Sequence, residues 1–439
     1  MQLFKCLLGL LAVLLVSSAP LIAQKIDFTE YNLDNGLHVI LHQDKSAPVV
    51  AVSVMYHVGS KNEDTARTGF AHFFEHLLFE GTENIKRGEF MKIVSDNGGE
   101  NNANTTQDRT FYYEVFPSND LKLGLWLESE RMMHPVINEI GVKTQNEVVK
   151  EEKRLRIDNQ PYGNFAYEVF RRLFTNHPYR WQTIGSMANL DSARLDEFKA
   201  FFKKYYVPGN AVLSIAGDID IDSTKKLVNA YFAPISQGAP INYNKIEEAP
   251  ITHEIVDSAY DANIQIPAII TAYRVPGLNT RDAKIMSLIS SVLSDGASSR
   301  LYKKMVDDKK DALQVGAFNY ALEDYGAYIT YALPNAGASL DTLLQDIDEE
   351  IAKMQTNLIS PEEYTKLQNQ YESNYAEANT RMLGVAENLA EGYTFYKNTA
   401  EINQDLDIIK SITREEIRDA AKKYLNKDQR VVLYYLPAK

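Results

Sequence analysis

The sequence predicts an α+β architecture: two related α/β domains forming an internal repeat, each a mostly antiparallel sheet covered by helices. Three observations predict it. Short β-rich runs and longer helical patterns alternate along the whole chain, the signature of sheets with helices packed on them. A helix ending Lys203-Lys204-Tyr205-Tyr206 and the strand Ala211-Val212-Leu213-Ser214-Ile215 have a counterpart at the other end of the chain. There Lys422-Lys423-Tyr424-Leu425 leads into the strand Arg430 to Leu436. Between these, residues 234–252 are rich in Pro, Gly, Asn and acidic residues and read as a linker. At 439 residues the chain exceeds what one core supports. The expected division is a leader over 1–23, a first domain over 24–233, the linker, and a related second domain over 253–439.

The leader has the form of a secretory signal peptide. Lys5 precedes the apolar run Leu7 to Val16, which is too short to span a bilayer comfortably, and Leu21-Ile22-Ala23 precedes Gln24 at a plausible cleavage point. The expectation is a secreted or periplasmic protein. The chain has one cysteine, Cys6, inside that leader. The mature chain therefore has no thiolate or disulfide to use, and any metal must be held by His and carboxylate. The formal charge is −13, one unit more negative once Lys5 is removed. That balance argues against nucleic acid or anionic lipid as a partner. No later run is apolar for long enough to anchor the mature chain stably in a membrane.

Taken in order, Tyr31 to His42 reads as two short strands about the Asp34-Asn35-Gly36 turn, and Val49 to Val58 as a longer buried strand. His38, His42 and His57 fall in these strands and read as structural or exposed. Next comes Gly69-Phe70-Ala71-His72-Phe73-Phe74-Glu75-His76-Leu77-Leu78-Phe79, an apolar helix carrying three ionisable groups that are costly to desolvate without partners. His72 and His76 are i and i+4, on one face, a spacing that lets two imidazoles hold one ion. Glu75 lies beside them without having to ligate it. The H-x-x-E-H order carries the parts of a zinc hydrolase: two ligands, and a carboxylate to deprotonate the attacking water. A third ligand must come from elsewhere.

Phe90 to Asn97 has a helical pattern. After Gly98-Gly99, the polar run Glu100 to Thr106 reads either as a loop or as an exposed edge strand able to pair with an extended peptide, followed by a strand over Thr110 to Phe116. Residues 118–135 and 137–158 are helical. The second of these carries Glu147, Glu151 and Glu152, and spacing alone leaves open which of them reaches the metal.

At this point the chain resembles the pitrilysin–insulysin inverzincin metallopeptidases, in particular the smaller bacterial members similar to the zinc-bearing subunit of mitochondrial processing peptidase. The matching residues are Gly69 to His76 with Phe79-Glu80-Gly81-Thr82, then Asn102-Ala103-Asn104-Thr105, Asn146 to Arg154, His177-Pro178-Tyr179, and Tyr206 to Asn210. The resemblance implies that the two domains close like a clam around a peptide substrate. It also implies Zn2+ bound by His72, His76 and Glu152, Glu75 as general base, and Asn102 and Ala103 on the peptide-pairing edge. The second domain, with His253 as its one histidine, is expected to hold no metal.

Two positions depart from the family pattern. Where relatives often have a glutamate seven residues before the third ligand, this chain has Gln145, expected to tune the surroundings of the metal. Active relatives also carry an arginine, and a tyrosine seven residues later, that hold the substrate backbone and stabilise the oxyanion. Here Val306 and Leu313 take those places, and neither side chain donates a hydrogen bond. The expectation is one half of a two-subunit enzyme, a heterodimer with a related chain that brings the arginine–tyrosine pair. The contrary expectation is a non-catalytic assembly or chaperone subunit that keeps the fold.

Overall fold

The computed structural model describes residues 25–243 and 246–438. The leader expected over 1–23 lies outside the described residues. The first half runs β1 (Thr29–Asn32), β2 (His38–Gln43), β3 (Val49–Tyr56), α1 (Phe70–Leu77), α2 (Phe90–Asp96), β4 (Glu100–Thr105), β5 (Thr110–Pro117), α3 (Leu121–Met133), α4 (Glu139–Lys153), α5 (Phe165–Leu173), α6 (Met187–Ser192), α7 (Leu195–Tyr205), β6 (Ala211–Gly217) and α8 (Ile221–Phe232). The second runs β7 (Ile255–Asp261), β8 (Ala268–Pro276), α9 (Arg281–Ser294), β9 (Ala312–Ala321), β10 (Tyr325–Pro334), α10 (Leu340–Thr356), α11 (Pro361–Ala378), α12 (Met382–Tyr396), α13 (Glu401–Lys410), α14 (Arg414–Tyr424) and β11 (Arg430–Pro437).

The strands form two sheets. The first is six-stranded in the order β1-β2-β6-β3-β5-β4, and the second is five-stranded in the order β7-β11-β8-β10-β9. Apart from β1 the two orders superimpose. In each, the closing strand pairs parallel to the opening one (β6 with β2, β11 with β7) and every other pair is antiparallel. The repeat read from two Lys-Lys-Tyr segments is thus a repeat of topology.

Local chemistry fixes the register. The β1–β2 hairpin turns at Gly36, whose φ of +87° is open to glycine and strained for most other residues. The run Glu100 to Thr105 is a strand, not a loop, and it forms the edge of the first sheet, pairing with β5 alone. The helix expected over 137–158 begins at Glu139, where Asn138 Oδ1 accepts the Gly141 amide at 2.9 Å. It ends regularly at Lys153 and continues as a wider π-helical turn over Arg154–Asp158.

Each sheet has one face covered by its own helices. In the first half, Phe70, Phe73, Phe74 and Leu77 of α1 pack on Val52, Val54 and Tyr112, with Phe198 beneath them. In the second, α9, α10 and α14 cover Ile269, Tyr273, Tyr328 and Val432. The opposite faces are covered reciprocally. From the second half, α12 lays Val385, Ala386, Leu389 and Ala390 against Ala51, Met55, Phe111 and Val212 of the first sheet. From the first half, α5 lays Val169, Phe170 and Leu173 against Ile270, Ile329, Val431 and Leu433 of the second. Val385, Leu389, Val169 and Leu173 are completely buried, and full burial of each such side chain contributes ~1.5–3 kcal/mol. Neither sheet is finished by its own half.

Candidate metal centre

The site is built on α1. This helix enters at Gly69, whose φ is +99° and where a Cβ would come within 2.7 Å of the Ile184 carbonyl oxygen. Glycine gives the first-turn amides no side-chain cap. The carboxylate of Glu63, from the preceding loop, accepts the amides of Gly69 and Ala71 at 2.8 Å each, satisfying donors a helix start leaves open. The aromatic face of α1 stacks on α7 (Phe70 on Phe198 at 4.4 Å, Phe74 on Phe201 at 5.7 Å between centroids). That packing turns His72, Glu75 and His76 away from the core towards α4 and β4.

On α4, Glu152 faces them. Its Oε2 lies 3.0 Å from His76 Nε2 and 3.4 Å from His72 Nε2. Glu147 and Glu151 do not reach the histidines: their carboxylates pair with Lys150 at 3.2 Å and Arg154 at 3.0 Å. Of the three glutamates that spacing left open, Glu152 is the one that faces the histidines. Hydrogen bonding from His72 and His76 holds the Glu152 carboxyl well below the usual carboxylate range, against its burial. Glu152 Oε2 is nonetheless buried without a well-formed hydrogen bond, as is His72 Nδ1. Its other oxygen, Oε1, is 3.0 Å from Nη1 of the exposed Arg156. Two imidazole nitrogens and one orphaned carboxylate oxygen thus converge on one point, a His2Glu donor set of the kind zinc takes in hydrolases. The donor atoms of His72, Glu75 and His76 also all lie within 4.8 Å of one another. The residues fit a divalent cation, with Glu152 the better third donor because it faces both imidazoles directly.

Glu75 points to the end of β4. Its Oε2 accepts a hydrogen bond from Thr105 Oγ1 at 2.6 Å. Asn102 is exposed on the same strand, and the Ala103 amide donates to Asn102 Oδ1 at 2.9 Å. Asn102 and Ala103 therefore sit on a strand that pairs with β5 alone, with the Ala103 amide held by the neighbouring side chain. A cleft of about 330 Å³ adjoins the centre. His72, Thr105 and Glu152 form one wall, and Phe170 and Tyr320 lie towards the second half.

Gln145 sits two turns before Glu152 on α4, where its Nε2 donates to Glu80 Oε1 at 2.5 Å. The departure has a local cause. Glu80 also pairs with Arg87, and a second carboxylate at 145 would face that of Glu80 with no hydrogen to share. Val306 lies in a π-helical turn, partly buried against the second core, and Leu313 is half-exposed on β9. Sequence reasoning did not assign Thr105, Arg156 or Tyr320. Thr105 stood within the Asn-Ala-Asn-Thr run, and its spacing from Glu75 carried no signal because the two meet only through the fold.

The chain is similar to known proteins in sequence and in fold. Residues 38–175 match the family model described as Insulinase (Peptidase family M16), and residues 192–371 the model described as Peptidase M16 inactive domain. The zinc protease PqqE of Helicobacter pylori is 32% identical over 371 residues, covering 83% of both chains. The uncharacterized zinc protease YmxG of Bacillus subtilis is 26% identical over 76% of this chain and 80% of that relative. Among solved structures, a protease from Helicobacter pylori superimposes with a TM-score of 0.88 at 26% identity, covering 93% of this chain and 99% of the other. The periplasmic protease PqqL of Escherichia coli shares the fold with a TM-score of 0.78 at 18% identity, matching 94% of this chain but 48% of its own length. With these matches spanning both sheets, the chain belongs to the M16 family of peptidases.

Proposed function

We propose that this chain is a zinc-dependent endopeptidase acting on unstructured peptides, with His72, His76 and Glu152 as metal ligands and Glu75 as general base. The observation that carries the reading is the convergence of His72 Nε2, His76 Nε2 and Glu152 Oε2 beside a carboxylate and an edge strand. A divalent cation held there supplies Lewis acidity, polarising a peptide carbonyl and easing deprotonation of a water. Glu75 takes the proton of the attacking water and delivers it to the leaving amine. An extended peptide pairs along β4 at Asn102 and Ala103, its backbone amides and carbonyls adding a strand to the sheet. Relatives named zinc protease support the metal and the reaction class.

The reading extends to a partner and a compartment. Val306 and Leu313 offer no hydrogen bond to a developing oxyanion, so a related subunit carrying the arginine–tyrosine pair completes the site. The larger size of PqqL, about half of which this fold occupies, is compatible with a second unit of the same kind. The leader over 1–23 directs the chain to the periplasm or outside the cell, and no helix among the described residues is long and apolar enough to cross a membrane. Domain limits at 24–233, 234–252 and 253–439 are part of the same reading. The same absent donors favour a second reading, a non-catalytic assembly subunit.

The test is cleavage of an unstructured peptide by the zinc-loaded mature chain beside its Glu75→Gln variant. The expected loss in the variant is ~10²–10⁴-fold at unchanged zinc content. Equal activity in the two proteins would overturn the assignment of Glu75. An inactive chain that gains activity with a related arginine–tyrosine subunit supports the two-subunit arrangement. A chain that stays inactive favours the assembly subunit.

A further inference from the structure

The tip of the β4–β5 hairpin, residues 105–110, belongs to the first half but is held by the second. Arg109 Nη2 donates to Glu387 Oε1 at 2.7 Å and its Nε to Glu391 Oε1 at 3.2 Å, both on α12. Asp108 Oδ2 accepts the Glu323 amide at 2.9 Å, and Asp108 Oδ1 accepts the Tyr179 hydroxyl at 2.6 Å. Lys61, nearly buried, lies 3.0 Å from Asp108 and 2.5 Å from Glu323. Gln107 accepts the hydroxyl of Tyr320 from β9 at 3.2 Å. Three consecutive residues of a tight turn are therefore clamped by β9, the β9–β10 turn and α12, while Thr105, at the foot of that turn, donates to Glu75.

From this arrangement we propose that Thr105 is a positioning residue for Glu75, and that the second half sets its position through the clamped hairpin tip. The inference rests on the peptidase reading given above. A half-buried carboxylate on a short helix has several rotamers of similar energy, and one hydroxyl donor at 2.6 Å selects among them. Because Thr105 also ends the strand on which the peptide pairs, docking a substrate and aiming the base involve the same few residues. A half with no metal ligand among its described residues thereby takes part in the chemistry through backbone geometry.

The experiment compares Thr105→Val and Thr105→Ser with the parent chain in two ways. Zinc content, KM and kcat are measured on an unstructured peptide, and crystal structures of all three report the Glu75 rotamer. Losing an outer hydrogen-bond partner costs ~10–100-fold in activity. The expected result is that loss in kcat for Thr105→Val, with KM and zinc unchanged, and recovery to within a few-fold in Thr105→Ser. In the crystals, Glu75 should hold one rotamer in the parent and in Thr105→Ser and spread or swing away in Thr105→Val. Removing the clamp from the far side, with Glu387→Gln and Glu391→Gln together, should shift kcat in the same direction by a smaller factor. An unchanged Glu75 rotamer in Thr105→Val overturns the proposal even if the chain cleaves nothing. A valine variant with lost zinc, or a serine variant no better than valine, overturns it too. Failure of the peptidase reading shows separately, as a parent chain no more active than Glu75→Gln.

Discussion

The segment between β3 and β4 and the segment between β8 and β9 occupy the same place in two sheets of the same order, yet among the described residues only the first carries a cluster of side chains fit to hold a metal. In the second half this place is filled by α9, which is N-capped by Thr280 Oγ1 on the Ala283 amide and buries Ile285, Met286, Leu288, Ile289, Val292 and Leu293. Its cap comes from its own N-terminal residue. In the first half α1 is barely two turns long, begins at a glycine, borrows its cap from Glu63, and spends three of eight residues on His72, Glu75 and His76. The fold asks this position for an apolar stripe only. The reactive groups were placed on the face left over, and the aromatic packing of Phe70, Phe73 and Phe74 makes up for a weak helix.

If the halves are interdependent in the way the exchanged helices α5 and α12 indicate, severing them has the largest effect. A fragment of residues 25–233 leaves Ala51, Met55, Phe111 and Val212 without α12. It is expected to lose the native sheet, read as loss of hydrogen-exchange protection in β3 and β6. A fragment with full protection would show that each half is a self-sufficient unit and that the exchange is decoration.

Buried charge sharpens the same contrast. In the first core Arg131 is wholly buried, 2.8 Å from Glu114 and 3.1 Å from Glu128, which are themselves wholly buried. Its guanidinium lies over the rings of Phe79, Phe90 and Tyr112 at 4.4–4.5 Å. Burial, with Glu128 beside it, pushes the Glu114 carboxyl well up. In the second core Arg430 pairs with Asp348 and Glu254, and Asp348 keeps the exposed Lys427 at 2.6 Å as a second cation. Arg131→Met leaves two buried carboxylates with no cation and is expected to cost ~3–5 kcal/mol, the range for breaking a buried pair. Arg430→Met leaves Asp348 a partner and is expected to cost less. Urea titrations of the two variants check the order, and equal losses would remove the distinction.

Much of this was legible beforehand, for reasons that differ by element. The β1–β2 turn, the β3 run and the α1 motif are local, and local chemistry decides them. That Glu100 to Thr105 is a strand was open because its residues are polar on both faces; a sheet edge tolerates that composition and a central strand does not. Glu152 was picked out by resemblance, and on α4 it is the glutamate whose carboxylate lies nearest the two histidines. What periodicity could not give is which sheet a helix covers. The apolar stripes of α5 and α12 announce burial and say nothing of the partner, and both partners lie in the other half of the chain. The contact between Gln145 and Glu80 was hidden because two residues of the same half meet there only through the fold.

The smallest expected effect concerns how the second half holds α9 to α14. Arg281 Nε donates to Glu416 Oε1 at 2.8 Å, and Glu416 Oε2 accepts the Thr413 amide at 2.7 Å. The Arg281 pairing, followed by the Thr413 amide, lowers the Glu416 carboxyl from 4.5 to about 2. A carboxyl depressed on folding contributes stability that is present above its unfolded value and is lost as pH falls through the folded one. More than a third of this side chain is exposed, so solvent screening discounts the shift, and an exposed ion pair contributes ~0.2–1 kcal/mol. Glutamine at 416 still closes the capping box with Thr413 and removes only the charge. Glu416→Gln is therefore expected to lose that fraction of a kcal/mol at pH 7, with the gap to the parent closing between about pH 4.5 and 2, as read by chemical denaturation along that range. The first half has a pair of similar exposure in Arg67 and Glu197, 3.0 Å apart, which ties the loop before α1 to α7. A Glu197→Gln variant that costs distinctly more than Glu416→Gln would show that the weaker helix leans on its surface contacts, and that the two halves differ in their margins as well as in their chemistry.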